Sequence, residues 1–124
     1  MSIPVELSDL AKAMARYRFA YLLTGTDHGA PHAVAVTPAL DGATLVVQGV
    51  GRRTGRNAQA RAEVALVWPP QAAADYSLIV DGTASVAGEQ IRITPTRAVL
   101  HRPAPAPEPQ PQGSCISDCV ELKL

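Results

Sequence analysis

Apolar and polar positions change their period along the chain. Leu7, Leu10, Ala11, Met14 and Tyr17 recur at helical spacing, which predicts a helix from a Ser8-Asp9 cap through Arg16. After Arg18 the period falls to two. Phe19, Tyr21 and Leu23 alternate with Ala20, Leu22 and Thr24, a strand running to Gly25. Asp27-His28-Gly29 turns the chain into a second strand, where His32, Val34 and Val36 alternate with Ala33, Ala35 and Thr37. Asp41-Gly42 separates that strand from residues 44–50, and an Asp-Gly pair between extended apolar segments predicts a hairpin. Residues 49–56 are rich in Gly and Arg, and residues 57–62 are expected as a short helix. Residues 64–68 read as a strand that Pro69-Pro70 stops. Residues 77–80 and 83–86 form one strand with a bulge at Asp81-Gly82. Gly88 then turns the chain into residues 90–94, followed by a short segment at 98–101.

About six strands, tight turns and little helix predict a mainly β, antiparallel barrel or sandwich. At 124 residues, with 47% hydrophobic and 18% charged positions, the chain is one folded domain rather than a disordered one. The organisation breaks at Pro103. Residues 103–112 hold five of the 11 prolines and are expected as a stiff, extended arm, so the domain is placed at 1–102 and the linker at 103–114. In residues 115–124 strand-like alternation resumes, with Val120, Leu122 and Leu124 on one side. This last strand is expected to dock on a sheet edge of its own barrel or of a partner.

Lys and Arg number 11 and so do Asp and Glu, so global charge points to neither nucleic acid nor an anionic membrane. Residues 1–10 lack the basic start and apolar run of a signal peptide, and no stretch approaches the ~18 apolar residues of a membrane span. A cytoplasmic location is the expectation. Cys115 and Cys119 are too few for a disulfide scaffold and are read as free thiols, with a disulfide or a metal as the alternatives. His28 and His32 flank a turn with no third ligand beyond Asp27, so no metal site is assigned.

The segment with the most chemistry is Gly49-Val-Gly-Arg-Arg-Thr-Gly-Arg-Asn57. Its glycines let backbone approach a ligand closely. Arg52, Arg53 and Arg56 bring permanent positive charge, and no acid lies between Asp41 and Glu63. Thr54 adds a hydroxyl that can cap the following helix, whose free N–H groups would face the same place. Guanidinium forks beside a helix N-terminus suit a phosphate. A solvated surface cluster is the plain alternative, and a nucleic-acid contact is disfavoured by the absence of stacking aromatics. The Gly-Lys-Ser/Thr ending of the nucleotide hydrolases is missing, as is a dinucleotide fingerprint.

Residues 18–100 resemble the pyridoxamine 5′-phosphate oxidase-like family, the FMN-binding split barrels, including small actinobacterial members that use FMN or the deazaflavin F420. The resemblance is carried by the order of "RFAYLLT", "GAPHAVAVTPAL", "GRRTGRNAQARAEVALVW" and "YSLIVDGTASV". The family's basic turn has an Arg-Lys pair and then Asn. Set on Asn57, the pair falls on Arg53 and Thr54, so the arginine is kept and a threonine stands in the lysine's place. Arg52 or Arg56 is then expected to compensate for the missing charge.

The resemblance implies a six-stranded split barrel that forms a homodimer, with FMN, or alternatively F420, between the subunits. It implies that Arg52, Arg53, Thr54, Arg56 and Asn57 hold the phosphate. Val34, Val36 and Thr37, together with residues 45–50, would wall the ring, with Trp68 either packed near it or in the core. A flavin carries its own hydride chemistry, so few catalytic side chains are expected and none is assigned. The substrate is expected to be a small organic molecule, in a pocket built by the partner and residues 71–76. Vitamin B6 is disfavoured, because counterparts of the oxidases' substrate-phosphate residues are missing and the chain is short. The rivals are a non-catalytic flavin-storing or flavin-sensing protein on the same barrel, and an interaction module that uses the C-terminal arm.

Overall fold

The computed structural model describes residues 1–104. Most of the expected linker, the expected terminal strand and both cysteines lie outside the described residues. Alternation of buried and exposed positions organises nearly all the rest into one antiparallel sheet.

The sheet has eight strands rather than six: β1 Ser2–Pro4, β2 Ala20–Thr24, β3 His32–Val36, β4 Ala39–Asp41, β5 Thr44–Val47, β6 Glu63–Trp68, β7 Ser77–Ala87 and β8 Gln90–His101. The two additions are three residues each, too short for a periodic signal. β1 is fully exposed and exists only through its pairing to the end of β8, from Ser2 opposite His101 to Pro4 opposite Val99. β4 is cut from β3 by Pro38, which has no N–H for the ladder. The Asp41-Gly42 hairpin forms, with Gly42 at φ 64°, but it joins β4 to β5 instead of joining the second strand to the third.

The expected segments at 90–94 and 98–101 are one continuous strand, β8. Its register against β7 slips between Asp81 and Gly82, as the bulge expectation required. The extra residue sits on the facing strand: Asp81 pairs with Arg97 and Gly82 with Pro95, leaving Thr96 over. Thr96 is held there by its hydroxyl, which donates to the Asp81 carbonyl at 3.2 Å.

Two short helices cover the sheet. At the N-terminus, Leu7–Asp9 is a 3-10 turn and α1 is Leu10–Met14. Ser8 and Asp9 make no capping bond, because the turn absorbs Ser8 and Asp9 flanks α1 without one. Leu10 is the residue that matters, plugging the barrel at 1% exposure. α2 is Arg52–Ala60, beginning five residues before the expected helix.

Leu22, Leu45, Leu66, Leu78, Val80 and Ile93 fill the interior. Each contributes on the order of 1.5–3 kcal/mol on burial. The hydrogen-bonded order is β3-β2-β6-β7-β8-β5-β4. β3 and β4 stand at opposite ends of that order, yet only Thr37 and Pro38 separate them in the chain. The sheet must therefore curl until its two edges meet without pairing. That unpaired seam is the split of a split barrel.

Candidate functional site

A groove of about 650 Å³ runs along this seam. β3 gives it one wall through His32, Val34 and Val36, continued by Thr37 just after the strand. Strand pairing explains their shared direction: Val36 lies opposite Ala20, Val34 opposite Leu22 and His32 opposite Thr24, so all three face the barrel interior. The other wall is the exit from β5, Gln48 to Gly51, where Gly49 at φ 69° turns the chain toward α2. Arg52, Arg53 and Thr54 close the end.

That end is cationic and holds an uncapped helix start. Gly51 occupies the N-cap of α2 and offers no side-chain cap, and space around it is open to 4 Å. The first N–H groups of the helix therefore lack a capping side chain. Arg52 and Arg53 are exposed. The ion pairs among the described residues engage Arg61, Arg92 and Arg97, and none engages Arg52, Arg53 or Arg56. No carboxylate lines the groove. A second depression of about 500 Å³ carries Glu63 and Asp81 and no basic residue.

Six of the nine expected ligand residues meet in the groove: Val34, Val36, Thr37, Arg52, Arg53 and Thr54. The other three do not line it. Arg56 lies over a separate cleft of about 450 Å³ with Gln59, Val86 and Glu89. Arg52 borders both spaces, so of the two expected substitutes for the missing lysine it is the one that reaches the groove. Asn57 is turned to β2, where its Nδ2 donates to Thr24 Oγ1 at 3.1 Å and ties the helix to the sheet. Trp68 is 2% exposed in the core, so the core alternative describes its place.

The expected cap role of Thr54 is corrected. Because α2 starts at Arg52, Thr54 lies inside the helix, 2% exposed, and Gly51 holds the cap position. Gln71 and Tyr76, from the segment expected to build a substrate pocket, line a different hollow of about 330 Å³ with Arg16 and Tyr17. There the Tyr17 hydroxyl donates to the Tyr76 carbonyl at 2.8 Å. Burial raises the Tyr17 phenol above its ordinary value, with Arg16 opposing and Asp75 adding.

His32 was not expected in the groove, whereas Gln48 falls within the 45–50 stretch expected to wall it. His32 carried one usable signal, its place in phase with Val34 and Val36. Among the described residues, no three His, Cys, Asp or Glu side chains gather as a metal site, and no helix is long and apolar enough to cross a membrane.

The chain is 42% identical over 132 residues to uncharacterized proteins of Mycobacterium bovis and Mycobacterium tuberculosis, covering 94% of itself and 93% of each of them. It belongs to their family. No family model matches the sequence. Among solved structures it is similar to a putative pyridoxamine 5′-phosphate oxidase from Listeria innocua, with TM-score 0.62 and 17% identity over 76% of this chain and 96% of that one. A FAD-binding protein from Mesorhizobium loti gives 0.62 and 14%, covering 80% and 96%. An F420 reductase gives 0.59 and 19%, covering 70% and 93%. The fold is thus a split barrel like those of these structures, and the groove lies at the split itself.

Proposed function

We propose that this split barrel binds a phosphorylated flavin, FMN in the first place and the deazaflavin F420 as the alternative, and uses it to oxidise or reduce a small organic molecule in the cytoplasm. The observation that carries this is the pairing, in one groove, of an apolar wall with a cationic end whose Arg52 and Arg53 have no carboxylate partner among the described residues. A planar, largely apolar ring with a phosphate at the far end of its side chain fits that polarity. The three structural relatives described above, a putative pyridoxamine 5′-phosphate oxidase, a FAD-binding protein and an F420 reductase, support a flavin-type cofactor.

When bound, the flavin supplies the hydride chemistry. The chain's own residues bind and shield. Arg52, Arg53 and the first N–H groups of α2 hold the phosphate. Val34 and Val36 exclude water from one side of the groove, and Thr37 offers a hydroxyl at its rim. We further propose a homodimer with the cofactor at the subunit interface. The outward side of the sheet supports it: Tyr21 is 41% exposed there, beside partly exposed Leu23, Val67 and Ile79.

A binding role without turnover is the second reading, favoured by the groove's lack of any acid or base other than His32. Titration of the purified full chain with FMN, F420 and riboflavin tests the proposal. Arg53→Ala should weaken FMN by about 1.5–3 kcal/mol, the range for a charge-assisted hydrogen bond, and riboflavin far less. Equal losses for both ligands would contradict the phosphate role. Absence of a melting shift with FMN and F420 at saturation would end the cofactor assignment. Binding without turnover toward quinones or other small acceptors, with NADPH or reduced F420 as donor, would select the second reading.

A further inference from the structure

The two ring nitrogens of His32 are not equivalent. Nδ1 is buried and has no hydrogen-bond partner. Nε2 is neither buried nor paired, and the ring lines the groove. A buried N–H without an acceptor is rarer and costlier than a buried lone pair, so the proton belongs on Nε2. The protein thereby presents a single N–H donor to the groove.

Strand register and helix period fix where that donor lies. His32 pairs directly with Thr24, which places their Cβ atoms about 5 Å apart on the same side of the sheet. Thr24 Oγ1 accepts the 3.1 Å bond from Asn57 Nδ2. Asn57 follows Arg53 by four positions on α2, so the two share a helix side about 6 Å apart along the axis. The imidazole therefore stands beside the arginine end of the groove, not at its far, apolar end.

We propose that His32 is a direct ligand of the bound phosphate, donating from Nε2 to a phosphate oxygen alongside Arg52 and Arg53. This rests on the phosphorylated-flavin assignment above and adds to it an N–H donor from the opposite wall. It also gives the groove a polar contact where Thr54 supplies no charge.

The amide nitrogen of glutamine can reach the place of Nε2, whereas that of asparagine falls near Nδ1. His32→Gln, His32→Asn and His32→Leu are compared in the full chain by titration with FMN and riboflavin and by melting without ligand. The Leu and Asn variants should weaken FMN about tenfold, the Gln variant about threefold or less, and riboflavin should be unaffected in all. The Leu variant should melt no lower than wild type without ligand, since it removes a buried, unpaired nitrogen. Unchanged FMN affinity in His32→Leu overturns the assignment. So does rescue by Asn in place of Gln, and so do equal losses of FMN and riboflavin together with a lower melting temperature. Inorganic pyrophosphate serves as a second probe. If wild type binds no flavin but is stabilised by pyrophosphate, and His32→Leu abolishes that, the His32 contact stands and the flavin falls. A wild type stabilised by neither overturns both.

Discussion

Replacing Gly82 with alanine would put a Cβ 2.6 Å from Ile93 Cγ2 and 2.7 Å from the Thr94 carbonyl oxygen. Ile93 has nowhere to swing, being 1% exposed in the core. The Thr94 oxygen is backbone in the β7–β8 ladder, where Gly82 pairs with Pro95 and Thr83 with Thr94. Ordinary contact begins at 3.4 Å, so β8 would have to retreat by about 0.7 Å at its bulge. Overpacking of this kind costs ~1–3 kcal/mol. Loss of backbone freedom in the unfolded chain returns ~0.4–1 kcal/mol. The net expectation is a loss of roughly 1–2 kcal/mol, or about 5–15 °C in melting temperature for a domain of this size.

The same chemical change at Gly55 should have the opposite sign. Gly55 is buried inside α2, but a Cβ there meets nothing closer than Val86 Cγ1 at 3.9 Å. Helix propensity then decides, and alanine should gain about 0.5–1 kcal/mol. Urea unfolding followed by the fluorescence of Trp68, the single tryptophan and 2% exposed, reads both variants. A Gly82→Ala protein as stable as wild type, or a Gly55→Ala protein less stable than it, would show that the packing around these two positions is misdescribed.

Tyr17→Phe removes the 2.8 Å bond to the Tyr76 carbonyl and should cost about 1 kcal/mol at neutral pH. The folded phenol titrates above the unfolded one near 10, so its contribution is whole below pH 10 and fades above it; thermal melts from pH 8 to 11 should show the gap between wild type and variant closing, and a constant gap would refute the shift. Asn57→Ala cuts the tie between α2 and Thr24, with an expected loss of about 1–2 kcal/mol in urea unfolding.

The long strands were legible because the sheet writes its two sides into alternate residues. Ala20, Leu22 and Thr24 are buried while Tyr21 is exposed, as a period of two requires. The hairpin partner was not legible. Asp41-Gly42 announces a turn, but the Pro38 kink that hands the hairpin from β3 to a three-residue β4 adds no periodic signal. The bulge was half legible for a similar reason. Asp81-Gly82 marks where two strands lose register, but not that Thr96 on the facing strand absorbs the extra residue.

The site divides along the same line. Glycines and arginines at 49–56 mark a cationic bend in any fold, because close backbone approach and permanent charge are properties of residue type. Which arginines serve the bend depends on the helix start, and that start moved by five residues, since Gly51 can hold the cap position without a side chain. Once α2 begins at Arg52, Arg52 and Arg53 line the groove while Arg56, one turn beyond Arg52, lies over the neighbouring cleft, so three charges that look equivalent in sequence are shared between two spaces. The same helix also turns Asn57 to Thr24 and thereby brings His32, twenty residues earlier than Arg52, to the arginines. No spacing rule joins those positions. They meet because β3 crosses to the far end of the sheet and returns to the seam through Thr37 and Pro38, so the curl that leaves two edges unpaired is the same event that assembles the groove.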